Sequence, residues 1–166
     1  MFTIYQIKVS EEVHNYVNSN DRGHTGAAER YPLYEAKLQT QHHGSDGFEP
    51  HMFQHFTNVA TVHTTGDLQR ADGTSYRVED LEEVFKILNG YYYDEDSETD
   101  PVFDAHVSGY KMKTVTRKSG ETVTYRDMHS LSVGDIVHNS ATDTYHIVDG
   151  FGFGEVSVDT THSEVA

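Results

Sequence analysis

The chain has 166 residues, the size of one domain, and is 36% hydrophobic and 11% aromatic; that fills one core and is too apolar for a disordered chain. It has no cysteine, which excludes disulfide scaffolds, thiolate nucleophiles and cysteine-ligated metal sites. Twelve basic against 27 acidic residues leave a net charge of −15, a field that repels phosphate backbones and anionic lipids and favours basic protein surfaces.

Twelve histidines add a pH dependence: protonating all of them would take the charge from −15 to −3, so self-repulsion fades near pH 5–6. Self-association is expected as the pH falls from 8 to 5. Light scattering that stays flat over that range would exclude it.

Phe2 to Val9 reads as a strand of β-branched and aromatic residues. Nothing in this opening resembles a basic stretch followed by an apolar one, so it does not read as a signal peptide. No apolar run is long enough to cross a bilayer, and a cytoplasmic location (host cytoplasm if phage-encoded), away from membranes, is the expectation. Ser10 then reads as an N-cap with Glu11 and Glu12 in the first turn, and Val13 and Val17 share a face of a helix that stops at Asn18 to Gly23. Residues 32–40 fit helix or strand, with strand favoured. Gln41 to Gly47 reads as a loop, Pro50 to His55 as a short helix, Asn58 to Thr65 as a strand, and Gly66 to Ser75 as an exposed connection.

The clearest helix is Val78 to Asn89, where Leu81, Val84, Phe85 and Leu88 form one apolar stripe and Asn89-Gly90 supplies the stop. Tyr91-Tyr92-Tyr93 follows, and then Asp94 to Asp100, an exposed loop by its charge density. The last third reads as β. Lys111 to Arg117 and Glu121 to Arg126 flank Lys118-Ser119-Gly120 as a hairpin, and Ile136 to His138 pairs with Tyr145 to Val148. Gly150, Gly152 and Gly154 are expected to bend a strand so that Phe151 and Phe153 both pack, and the tail from Ser157 onward to fray. The expected fold is α+β: a mostly antiparallel sheet of about five to seven strands with the 78–89 helix packed on one face.

Three blocks carry a family resemblance: Phe2 to Lys8, Asp80 to Asn89, and Met128 to Val137 followed by Tyr145 to Phe153. Together they resemble the YodL-like domains of bacteria and integrative elements and related proteins of tailed phages. Those share an opening YQ(L/I)K, a central LE-x-(V/I)-F helix, (H/R)SLSV(G/S)D(V/I)V and a closing GF. The resemblance implies one YodL-like domain over 1–166, no catalytic residues, and interference with a host protein, since one relative is associated with perturbing the actin-like cytoskeleton. The chain departs from the pattern by an insertion over about 14–55.

The motif Ser130-Leu131-Ser132-Val133-Gly134-Asp135 reads as scaffold: serine hydroxyls capping backbone N–H groups, a tight turn at Gly134-Asp135, and Leu131, Val133 and Ile136 facing the core. It lacks the G-x-S-x-G elbow of a serine nucleophile. His51 and His55 would share one helical face at the spacing of a metal pair, with His42, His43 and His63 as further candidate ligands, but without the Glu of H-E-x-x-H. No cofactor is called for. The candidates for partner binding are Tyr91, Tyr92, Tyr93, Asp94, Glu95, Asp96, Glu98 and Asp100, because tyrosines are interface anchors and carboxylates around them steer Arg/Lys-rich surfaces. The leading expectation is a non-enzymatic phage or mobile-element accessory protein that binds a host protein with a basic surface, nucleic acid being a poor partner. Mimicry of DNA, as in anti-restriction proteins, and a histidine-based metal enzyme are the alternatives.

Overall fold

The computed structural model describes residues 1–63, 68–69, 75–76 and 80–161. In chain order they form β1 (Phe2–Gln6), α1 (Glu11–Ser19), α2 (Gly23–Arg30), α3 (Pro32–His43), two 3₁₀ turns (Gly44–Gly47 and Pro50–His55) and β2 (Thr57–Val62). Then come β3 (Leu68–Gln69), β4 (Ser75–Tyr76), α4 (Leu81–Leu88), α5 (Pro101–His106) and β5 (Val107–Ser108). The series ends with β6 (Met112–Thr116), β7 (Thr122–Arg126), β8 (Ile136–Asn139), β9 (Thr144–Val148) and β10 (Phe153–Val156). The fold is α+β, with a six-stranded, mostly antiparallel sheet in the order β10-β9-β8-β1-β2-β5 and two separate two-stranded ribbons, β3-β4 and β6-β7. Among the described residues no helix is long and apolar enough to cross a membrane.

The chain divides into two compact units, one of Met1–Ile4 with Val59–Leu131 and one of Tyr5–Asn58 with Ser132–Ala166. In the second, Phe48, Phe53, Ile136 and Ile147 form a buried cluster flanked by Tyr5, Met52, Phe56, Tyr145, Val156 and Val158. Its aromatic rings meet edge-on, Tyr5 and Phe53 at 4.9 Å and Phe53 and Tyr145 at 5.3 Å between centroids, the geometry that the ring quadrupole favours. Burial raises the phenol pKa of Tyr5 and of Tyr145. A second cluster, Val13, Ala27 and Tyr34, joins α1, α2 and α3. In the first unit α4 and α5 bury Val84, Ile87, Leu88, Val102 and Phe103.

Several local expectations are corrected. Residues 32–40 are helical, within the longest helix among the described residues, not a strand. Pro32 at N1 pre-sets φ, and Ala36, Lys37, Leu38 and Gln39 are good helix formers; Thr40, buried, satisfies its hydroxyl by donating to the Ala36 carbonyl at 2.8 Å. Gln41 to His43 prolong that helix, and only Gly44 to Gly47 turn. α2 went unpredicted because its sequence, GHTGAAER, has two glycines and almost no apolar face.

Asp80 caps α4, whose buried residues are Val84, Ile87 and Leu88, while Leu81 and Phe85 are half-buried at the margin. The stripe is thus turned toward Ile87. Val78 and Glu79, like Thr64, Thr65 and most of the 66–75 connection, lie outside the described residues; within that connection Leu68–Gln69 pairs with Ser75–Tyr76.

Phe151 does not pack. It stands fully exposed at the tip of the turn that the Asp149 N–H closes on the Gly152 carbonyl at 2.9 Å, with Gly152 at φ +70°. Nor does the chain fray over 157–161: Val158 packs on the aromatic cluster and the Asp159 N–H donates to the Pro50 carbonyl at 3.0 Å, while 162–166 lie outside the described residues.

Candidate functional site

The candidate site begins where α4 ends. Asn89 is the C-cap, Gly90 takes φ +72°, and the Tyr91 N–H donates to the Lys86 carbonyl at 3.1 Å. This is the 6→1 bond of a Schellman stop, which needs a residue free to adopt the left-handed conformation. The Asn89 side chain donates to the Leu131 carbonyl at 3.1 Å and ties the helix end to the start of the Ser130–Asp135 segment.

The stop throws the three tyrosines to different sides. Tyr92 folds back and donates its hydroxyl to Glu83 at 2.6 Å. Tyr91, its ring edge-on to Phe85, and Tyr93 are 63% and 50% exposed.

The acidic run is not a loose loop. Asp94 and Thr99 exchange both backbone hydrogen bonds, at 2.7 and 3.2 Å, so the segment closes as a miniature hairpin, with Glu98 at φ +54°. The Asp94 carboxylate is hydrogen-bonded within the hairpin. Its pKa lies below the usual carboxylate range, first through the Ser97 side chain and then through the Asp96 N–H at 3.0 Å. Asp100 is buried and caps α5, its carboxylate accepting the Phe103 N–H at 3.1 Å. Of the eight candidate residues, Tyr91, Tyr93, Glu95, Asp96 and Glu98 are the exposed ones, whereas Tyr92, Asp94 and Asp100 build the hairpin that presents them.

Beside the hairpin lies a cleft of about 390 Å³ whose lining includes the exposed Tyr93 and Glu98, the buried Leu88 and Phe103, and Asp104 and Arg126. It adjoins a second cleft of about 460 Å³ that shares Leu88, Phe103, Arg126 and Ser130. The Arg126 guanidinium lies 3.6 Å from the centre of the Phe103 ring. That stacking fixes the planar face of the group and leaves its N–H edge open. Residue types alone did not point to the clefts, because Phe103 and Arg126 come together only through α5 and β7.

The Ser130–Asp135 segment serves the scaffold by a different device from the serine capping expected. Ser130 and Ser132 are exposed, and the buried Asp135 carboxylate is the capping acceptor. It takes the Ser132 N–H at 2.9 Å and the buried Gln6 amide at 3.2 Å. Leu131 and Ile136 are buried and Val133 is half-buried, as their spacing requires. The Asp135 N–H donates to the Ser132 carbonyl at 3.0 Å, closing a turn with Gly134 at φ +97° in its third position, the place where a type II turn demands glycine.

The histidine pair does not share a face. Pro50–His55 is a 3₁₀ turn, in which residues four apart stand about a third of a turn from each other. His51 is exposed beside Glu49 at 3.4 Å. Burial, and then the charge of His51, lower the pKa of His55. His63 meets the Ser108 hydroxyl at 2.6 Å, and His42 and His43 are exposed at the end of α3. Among the described residues no group of three or more His, Asp or Glu is placed to hold a metal ion.

Fold and site together define an α+β protein with an acidic, tyrosine-flanked hairpin that lines a cleft. Compared with known proteins, the chain matches no family model, no curated protein and no solved structure.

Proposed function

We propose that the chain is a non-enzymatic accessory protein of a phage or mobile element, acting in the host cytoplasm by binding and modulating a host protein with a basic surface. The observation that carries this reading is the closed hairpin: it holds Glu95, Asp96 and Glu98 in solvent beside the exposed rings of Tyr91 and Tyr93. Aromatic anchors give the contact area, and fixed carboxylates steer a cationic partner and set its orientation. The adjoining cleft, with Glu98 and Asp104 in its lining, has room for an Arg or Lys side chain of the partner. The resemblance to YodL-like domains supports the same class of action, interference through protein contact.

The test is capture from host lysate at low salt with the wild-type chain and with E95K/D96K/E98K. The wild type should return one stoichiometric protein whose recovery falls with salt. The triple reversal should slow its association at least about ten-fold, because steering depends on the sign of the local field. Nothing above background for the wild type, or equal capture by the variant, would overturn the proposal.

A further inference from the structure

The acidic chain carries one basic element. Residues 111–126, the β6–β7 ribbon with its turn, hold Lys111, Lys113, Arg117, Lys118 and Arg126, five of the twelve basic residues, against Glu121 alone of the 27 acidic ones. The ribbon is +4 and the remainder of the chain −19. Glu121 is engaged with Arg117 at 3.6 Å. Among the described residues Lys111, Lys113 and Lys118 make no ion pair.

The ribbon is also bare. Its five registered pairs run from Met112↔Arg126 to Thr116↔Thr122, and it forms a two-stranded sheet of its own, so each strand has one edge outside the ladder. Every residue of it is exposed except the cross-strand pair Val115 and Val123, which are half-buried. A cross-strand contact between Thr114 and Thr124 at 2.9 Å helps to hold it. Two-stranded hairpins are marginal in water without something packed on them, and open strand edges are templates for pairing with another chain.

We infer that the ribbon docks on the acidic hairpin Asp94–Thr99 of a second copy of this chain, giving a dimer in which each copy offers both surfaces. Charge complementarity selects this occupant. The matching surface is on the chain itself, in the same unit as the ribbon, and bears Glu95, Asp96 and Glu98 in solvent beside Tyr91 and Tyr93. Since one surface is basic and the other acidic, a two-fold arrangement makes the contact twice, ribbon to hairpin and hairpin to ribbon. Repulsion between two copies of charge −15 acts over a distance that salt limits to about 8 Å under physiological conditions, whereas the docked surfaces meet at contact. A nucleic acid would also suit a basic β-ribbon, but its phosphates would lie along a molecule that is −19 everywhere else.

The inference stands independently of the host-protein reading, and the two fail separately: K113E/K118E leaves the acidic hairpin intact, so capture of a basic partner should survive it. Sedimentation velocity at pH 8 and moderate salt, over a concentration series to several hundred micromolar, is the experiment. Wild type should dimerise and dissociate as salt rises. K113E/K118E and E95K/D96K should each associate at least ten-fold more weakly, and an equimolar mixture of the two variants should recover heterodimers, because both contacts are then matched in sign: unchanged ribbon on unchanged hairpin, and reversed ribbon on reversed hairpin. A wild type that stays monomeric at every concentration overturns the inference. So does a dimer that K113E/K118E leaves unchanged, or a labelled DNA duplex that binds the wild type and is lost with K113E/K118E while no dimer forms.

Discussion

Replacing Gly134 with alanine is expected to destabilise the fold by about 2–6 kcal/mol, through two separable effects. At φ +97° an L-residue is strained by its own backbone, a penalty of about 1–3 kcal/mol. A Cβ there would also lie 2.9 Å from the carbonyl carbon of Thr40 and 3.0 Å from the N of Gln41. Those are main-chain atoms of α3, which cannot swing aside as the end of a long side chain can, so overpacking adds about 1–3 kcal/mol. Gly152→Ala is the control, since Gly152 has φ +70° with open space around it and should lose only about 1–2 kcal/mol. Urea unfolding of both variants at comparable m-values separates the terms. Equal losses would mean that the Gly134 turn does not press on α3.

Gly134 also illustrates what could be read from the sequence. Its turn, the β6–β7 hairpin and the β8–β9 pair were legible because each is specified within a few residues, by alternation on both sides of a left-handed position. α1 was legible through Ser10 as its cap, and α4 through its apolar stripe and the Asn89-Gly90 stop. α3 was not legible because its mixture of apolar and polar residues fits helix and strand alike. Helix-forming side chains and Pro32 decided between them.

Within the site, composition marked the tyrosines and carboxylates but not their separate roles. Asp100 had a local signal, an Asp directly before Pro101, which is an N-cap followed by a first-turn proline. Tyr92 and Asp94 had none, because their roles depend on how the chain leaves α4. The basic ribbon was countable from the sequence, but its isolation as a two-stranded sheet was not.

Contacts between distant parts of the chain were the least legible, and the Asp149 carboxylate is the clearest case. It accepts the Ser45 N–H at 2.6 Å and the Ser45 hydroxyl at 2.9 Å, fastening the turn after α3 to the β9–β10 hairpin. Two glycines far apart in the chain leave room for it: a Cβ on Gly44 would overlap its Oδ1, and one on Gly154 would lie 2.6 Å from its Oδ2. Gly154 thus serves to admit a carboxylate and not to pack the Phe rings beside it.

Asp149→Ala removes a charged acceptor and leaves the Ser45 N–H without it in a half-buried setting, and a loss of about 2–3 kcal/mol is expected. Ser45→Ala keeps the backbone bond and should lose about 1 kcal/mol. The double variant should lose less than the sum, because the two side chains share a bond. Chemical denaturation of the four proteins of this cycle checks the prediction. Strict additivity would mean that the Ser45 hydroxyl and Asp149 act independently, and the fastening would then rest on the backbone bond alone.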